Sequence, residues 1–161
     1  MAVEITDVRT EHLPALRLIG KPCDCDIHDF VGDWDEWLES GWFDQLEKLG
    51  AAPENGDMYL GVTDNDGGYW IGLLFPPGTP APDGFLFADI PAARFAVLRF
   101  NGKKDGELLG GDGIELIIDE MNKRGLAAAP IWSGWCMERY SRPLAPGAKG
   151  KVLVDCLYEM M

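Results

Sequence analysis

The chain has 161 residues, 47% of them hydrophobic, with 27 acidic against 14 basic side chains and a formal net charge of -13. That size and apolar content suit a single folded domain spanning 1–161 and exclude a disordered chain, while the acidic field repels phosphate backbones and argues against direct nucleic-acid binding. The longest apolar runs, such as IGLLF at 71–75, are far too short to cross a bilayer, and MAVEITDVRTEH is no secretory leader, so a cytoplasmic protein with no membrane partner is expected.

In chain order, a strand is expected at 3–9 and another across 14–22. CDCDIH (23–28) then offers two Cys, two Asp and a His. On an extended strand, alternation would put Cys23 and Cys25 on one face and Asp24, Asp26 and His28 on the other. With no CxxC or HExxH and two histidines in the chain, neither a metal nor another cofactor is expected. Four cysteines in a cytosolic domain of this size make no disulfide framework. Phe30, Trp34, Trp37 and Leu38 fall at helical spacing, and Lys48 and Gly50 close a helix over about 29–49. MYLGV (58–62), DNDGG (64–68) and YWIGLLF (69–75) form a hairpin. After the proline-rich PPGTPAP (76–82), the strand RFAVLRF (94–100) leads to a helix opened by Asp112 and Glu115. Ile114, Ile117, Ile118 and Met121 form its apolar stripe and Gly125 stops it. GGDG (110–113) at its start would suit an anion, but Asp112 stands against that. Strands at 131–140 and 151–159 complete the chain.

Two stretches recur at one spacing. LPALRLIGK (13–21) resembles IPAARFAVLRFNGK (90–103), and EKLGAAP (47–53) resembles NKRGLAAAP (122–130), both at an offset of 77 residues. The expected architecture is therefore α+β. Two strand–helix–strand–strand modules, near 10–76 and 86–159, form an antiparallel sheet with both helices on one face and a ligand groove between them.

AAPIWSGWCMERY (128–140) places one carboxylate, Glu138, in an aromatic, apolar strand. Unpaired there, it costs several kcal/mol. Alternation puts Trp132, Gly134, Cys136, Glu138 and Tyr140 on one face, with Trp135, Met137 and Arg139 on the other. Two readings are open: Glu138 faces a cationic ligand among aromatic rings, or it pairs with Arg94 or Arg99 and ties strands together. Trp34 and Trp37, one helical turn apart, are candidates for the groove wall, although aromatics at that spacing often serve only as core. Tyr59, Tyr69 and Trp70 on the hairpin are weaker candidates, and alternation lets at most one of Tyr69 and Trp70 face the groove. Cys136 adjoins Glu138, where burial favours an inert thiol over a reactive one.

The order LRLIGK, YWIGLLF, a Gly-Phe segment leading into IPAARFAVLRFNG, a second helix and an aromatic strand with Glu-x-Tyr resembles the GyrI-like small-molecule-binding domain. That domain also occurs as the effector-binding domain of AraC- and MerR-type regulators. The resemblance spans about residues 3–159 and implies a duplicated module that binds lipophilic, often cationic, compounds, with Glu138 as the pocket glutamate and Tyr140 beside it. No helix-turn-helix precedes residue 3, which implies a stand-alone form. Three roles follow from the resemblance: a binder of hydrophobic cations, a module signalling to a separate regulator protein, or a hydrolase opening cyclopropane-bearing electrophiles with Glu138 and Tyr140 as catalytic residues.

Overall fold

In the computed structural model the described residues are 4–23, 30–55, 58–64, 68–103, 111–130, 134–141 and 151–161. Two proline-bearing turns decide the shape of the sheet. β1 (Glu4–Leu13) and β2 (Leu16–Pro22) are joined only by Pro14 and Ala15, and β5 (Leu86–Ile90) and β6 (Ala93–Lys103) only by Pro91 and Ala92. The other strands are β3 (Met58–Thr63), β4 (Tyr69–Phe75), β7 (Cys136–Ser141) and β8 (Lys151–Glu159). All pairings are antiparallel, in the order β1-β6-β8-β7-β3-β4-β2-β5. On a flat sheet β1 and β2 would lie about 29 Å apart, at roughly 4.8 Å per strand. A two-residue link spans at most about 11 Å, so the sheet has to curl.

The curl gives the sheet an inner face lined by its own side chains. Leu13, Leu16 and Ile90, from the turn-bearing ends, are buried with Leu60, Met137 and Leu157 of the central strands. Gly20 and Gly72 lie directly opposite each other on β2 and β4, where a Cβ on either would run into the partner strand's backbone. This close approach needs glycine on both sides. Along β7, Met137 faces inward while Cys136 and Tyr140 face out.

Helices cover the outer face. α1 (Phe30–Ser40) and α2 (Trp42–Glu47) bury Trp34, Trp37, Phe43 and Leu46 against Ile19, Ile71, Leu73 and Phe75. α3 (Gly111–Lys123) buries Ile117 and Met121 against Ala96, Leu98, Cys156 and Tyr158. The α+β class and the antiparallel sheet are as the sequence leads one to expect. The single helix over 29–49 is instead two, because Gly41 takes a left-handed conformation (φ 79°) and breaks the run. β5 has no counterpart in the sequence reading, since only Ile90 of its residues is buried and no alternation marks it. The expected strand over 131–140 begins as regular strand at Cys136, and Trp132 lies outside the described residues.

The strand order reads the same backwards when β1–β4 are exchanged one for one with β5–β8. Each half lends its opening strand to the other half's edge: β1 pairs with β6, and β5 with β2. At the centre, β3 and β7 run in a register that sets Gly61 opposite Glu138, and these two residues are themselves 77 apart. The axis of this topological symmetry runs through the Gly61–Glu138 pair.

Candidate functional site at Glu138

Glu138 sits in mid-sheet, with Gly61 of β3 on one side and Cys156 of β8 on the other. Its side chain is 5% exposed and points to the helix-bearing face. There it meets the seam between the two helical clusters: Tyr140, only partly buried, packs against both. The Tyr69 hydroxyl donates to Glu138 Oε1 at 2.7 Å, and the Tyr140 hydroxyl donates to the same oxygen at 3.2 Å. The Trp34 indole N–H donates in turn to the Tyr69 oxygen at 3.0 Å. Among the described residues no hydrogen bond reaches Oε2, which leaves that oxygen as the open acceptor of the site.

A continuous aromatic wall extends from this centre. The Trp34 ring meets Tyr140 edge-on at 5.0 Å and lies 6.0 Å from Phe43. Phe43 stacks on Tyr59 at 4.2 Å and contacts Trp37 at 4.8 Å. Trp37 continues the chain of rings to Trp42 and Phe85. Such ring pairs contribute about 0.5–1.5 kcal/mol each beyond burial, so the wall is stiff, and it is built of rings whose π faces attract cations. Lys21 shows this attraction within the fold, its Nζ lying 3.6 Å from the centre of the Trp42 ring.

Burial raises the proton affinity of Glu138, while the hydrogen bonds from Tyr69 and Tyr140 lower it, and the balance is a pKa of about 8. Burial and the nearby Glu138 push both tyrosines well up, so they remain protonated donors. No Lys or Arg among the described residues pairs with Glu138, so of the two readings the ion pair to Arg94 or Arg99 is not the one the structure forms. Arg94 is exposed, and Arg99 holds Asp155 at 2.8 Å. Asp155 stands two residues before the inward-facing Leu157, on the same face, and also takes Arg139 at 3.3 Å. Alternation explains the mismatch: Glu138 and Arg139 are adjacent on β7 and point to opposite faces.

Of the residues expected at the site, Trp34, Tyr69, Glu138 and Tyr140 are brought into one hydrogen-bonded group, and Tyr59 and Trp37 join through Phe43. Trp70 packs against the inner cluster and bonds Asp64 at 3.1 Å, away from Glu138. Cys136 is buried on the α3 side. Burial, followed by the nearby carboxylate, pushes its thiol and that of Cys156 well above the usual range, so neither is a nucleophile at neutral pH. Under native conditions a maleimide is therefore expected to label Cys23, which is half-buried, and to leave Cys136 and Cys156 unmodified until the protein is denatured. Peptide mapping by mass spectrometry reads the outcome. Phe43 and Gly61 were not among the expected site residues. A glycine in the middle of the strand MYLGV is the signal that points to Gly61, because strand glycines mark close approaches.

No family model and no curated protein matches this chain. Solved structures do, at low identity. SAV2435 bound to tetraphenylphosphonium aligns over 97% of this chain and 94% of its own, at 12% identity and a TM-score of 0.66. A Staphylococcus aureus MU50 protein provisionally assigned to bacterial transcription regulation aligns over 96% of this chain and 97% of its own, at 13% identity and a TM-score of 0.62. EcmrR, solved in a complex with DNA, aligns over 96% of this chain and 58% of its own, at 12% identity and a TM-score of 0.62. These likenesses show a shared fold, the one the GyrI-like resemblance implies. Among the described residues no helix is long and apolar enough to cross a membrane, and no group of three or more potential metal ligands occurs.

Proposed function

We propose that this protein binds lipophilic organic cations at the seam between its helical clusters, with Glu138 as the counter-charge. The observation that carries the reading is a carboxyl buried among aromatic rings with no cationic side chain of the described residues to pair it. A delocalised cation desolvates readily, adds cation–π contacts to the Trp34–Phe43–Tyr59 wall, and supplies the missing charge. The fold likeness to a protein solved with tetraphenylphosphonium supports the same class of ligand. Titrating the protein with tetraphenylphosphonium, with a neutral analogue of the same shape and with tetraphenylborate tests it. Binding of the cation alone is expected, and equal binding of all three would sink the reading.

The fold shared with part of EcmrR supports a further role, in which ligand occupancy is passed to a separate regulator protein. A pull-down that recovers a regulator with ligand and not without it is the expected result. Hydrolysis of cyclopropane-bearing electrophiles is a second reading, favoured by one contact: the Tyr140 hydroxyl touches a carboxyl whose pKa is about 8. Once ionised, above about pH 8, that carboxylate can take a proton from attacking water while the tyrosine stabilises charge on the leaving side. Multiple turnovers lost in both Glu138→Gln and Tyr140→Phe would establish it, and stoichiometric binding without turnover would dismiss it.

A further inference from the structure

We propose that Gly61 is the positioning residue of this site, the bare spot on β3 that lets Tyr69 reach across from β4 and hold Glu138 on β7. The inference concerns the same site and rests on Glu138 being its anionic centre. β3 lies between β4 and β7, so the backbones that carry Tyr69 and Glu138 are about two strand spacings, roughly 10 Å, apart. Their side chains bridge that gap over the outer face of β3 and meet at 2.7 Å. Gly61 is directly opposite Glu138 and therefore presents the same face. A Cβ built at position 61 would clash with the Tyr69 hydroxyl, lie 2.8 Å from Glu138 Oε1 and 2.9 Å from Tyr69 Cζ. Each of those approaches is closer than carbon tolerates.

Backbone geometry does not explain the glycine. Gly61 is not one of the glycines with positive φ, which among the described residues are Gly41, Gly50, Gly78, Gly84 and Gly125. An L-residue could adopt its conformation, and glycine in a strand interior is unfavourable by about 0.5–1 kcal/mol relative to alanine. What glycine supplies here is empty space, filled by the Tyr69 hydroxyl. The symmetry of the sheet gives the same answer. Positions 61 and 138 face each other across the axis, and only one of them can carry a side chain into the shared space. With Gly61 and Glu138 in those places, the centre holds a single carboxyl instead of a pair.

The test is Gly61→Ala, read by ¹³C NMR of the glutamate side-chain carboxyls in ligand-free protein. The Glu138 signal is the one titrating near pH 8, assigned by its loss in Glu138→Gln. The titratable groups around it are Tyr69 from β4, Tyr140 and Cys136 from β7, and Cys156 from β8. Gly61→Ala is expected to raise the midpoint from about 8 by about one pH unit, the size of one hydrogen bond to a charged group. Affinity for tetraphenylphosphonium at pH 7 is expected to fall about tenfold through the stronger competing proton. The two effects should largely vanish in the Tyr69→Phe background, where the displaced hydroxyl no longer exists. An unmoved midpoint in Gly61→Ala, or effects of the two substitutions that simply add, would overturn the proposal. If Gly61→Ala alone fails to fold, recovery of the fold in the double variant supports the proposal. Failure to recover would mean that position 61 serves sheet packing. Because the midpoint is read without ligand, a wild-type protein that bound no cation would refute the cation reading and leave this assignment standing.

Discussion

Glu138→Gln is expected to weaken binding of tetraphenylphosphonium about 30-fold or more at pH 8.5, while the affinity for a neutral analogue of the same shape changes little. Removing one partner of a desolvated charge pair costs on the order of 2–5 kcal/mol, and about 1.4 kcal/mol is a factor of ten. Gln keeps the volume and still accepts the Tyr69 and Tyr140 hydrogen bonds, so the wall stays in place and the lost quantity is charge. Wild-type affinity should also depend on pH in a defined way. Below about pH 8 the free carboxyl holds a proton, and a cation has to displace it. Affinity therefore rises about tenfold per pH unit up to that value and levels off above it. The Gln variant should show no such slope. Calorimetry in buffers of different ionisation enthalpy counts the released proton directly: close to one per cation at pH 6.5 and close to none at pH 9.5. A slope of the same size in Glu138→Gln would assign the proton to another group.

Much of this site can be read from local sequence because its parts obey local rules. Alternation along β7 separates Glu138 and Tyr140 from Met137 and Arg139, and helical spacing aligns Trp34 with Trp37. The partner of Glu138 is another matter. Tyr69 and Trp70 are equally plausible from the sequence, and only the register of β3 with β4 and β7 shows that Tyr69 is the one that reaches the carboxyl. The alternative arginine partner drops out for the same reason: Arg99 and Glu138 lie on strands separated by β8, and their side chains point to opposite faces. Exchange of the opening strands between halves leaves no local trace either, because a two-residue Pro-Ala turn usually reads as a link between neighbours. Gly41 is visible in the sequence, but one glycine in a strongly periodic helix is a weak signal until its φ is known.

Stability should fall as pH rises from about 4.5 to about 8, and Glu138 is the reason. Its carboxyl has an ordinary pKa of 4.5 in the unfolded chain and about 8 in the fold, chiefly through burial. Between those values the folded protein holds a proton that the unfolded chain releases, so each pH unit removes up to about 1.4 kcal/mol. The contribution of this group is complete below pH 4.5 and is lost through the window, the loss reaching several kcal/mol at its upper end, comparable with the whole stability of many domains. Asp155, next to Glu138's partner Cys156 on β8 but facing inward, behaves oppositely. Burial alone would raise its pKa, but the Arg99 hydrogen bonds, with Arg139 and Arg9 nearby, outweigh burial and leave it lowered. Its stabilisation is present above its ordinary pKa of 3.8 and fails only as pH falls below that, outside the Glu138 window. Urea unfolding of wild type and Glu138→Gln at pH 5, 6, 7 and 8 separates the two groups. Wild type is expected to lose stability along the series, the variant to stay nearly level, and the variant to be the more stable protein at pH 8. Saturating tetraphenylphosphonium should reverse the order at pH 8, because the cation stabilises the ionised carboxylate of the wild type and finds no charge in the variant. Parallel curves for the two proteins would place the proton of the folded state on a residue other than Glu138.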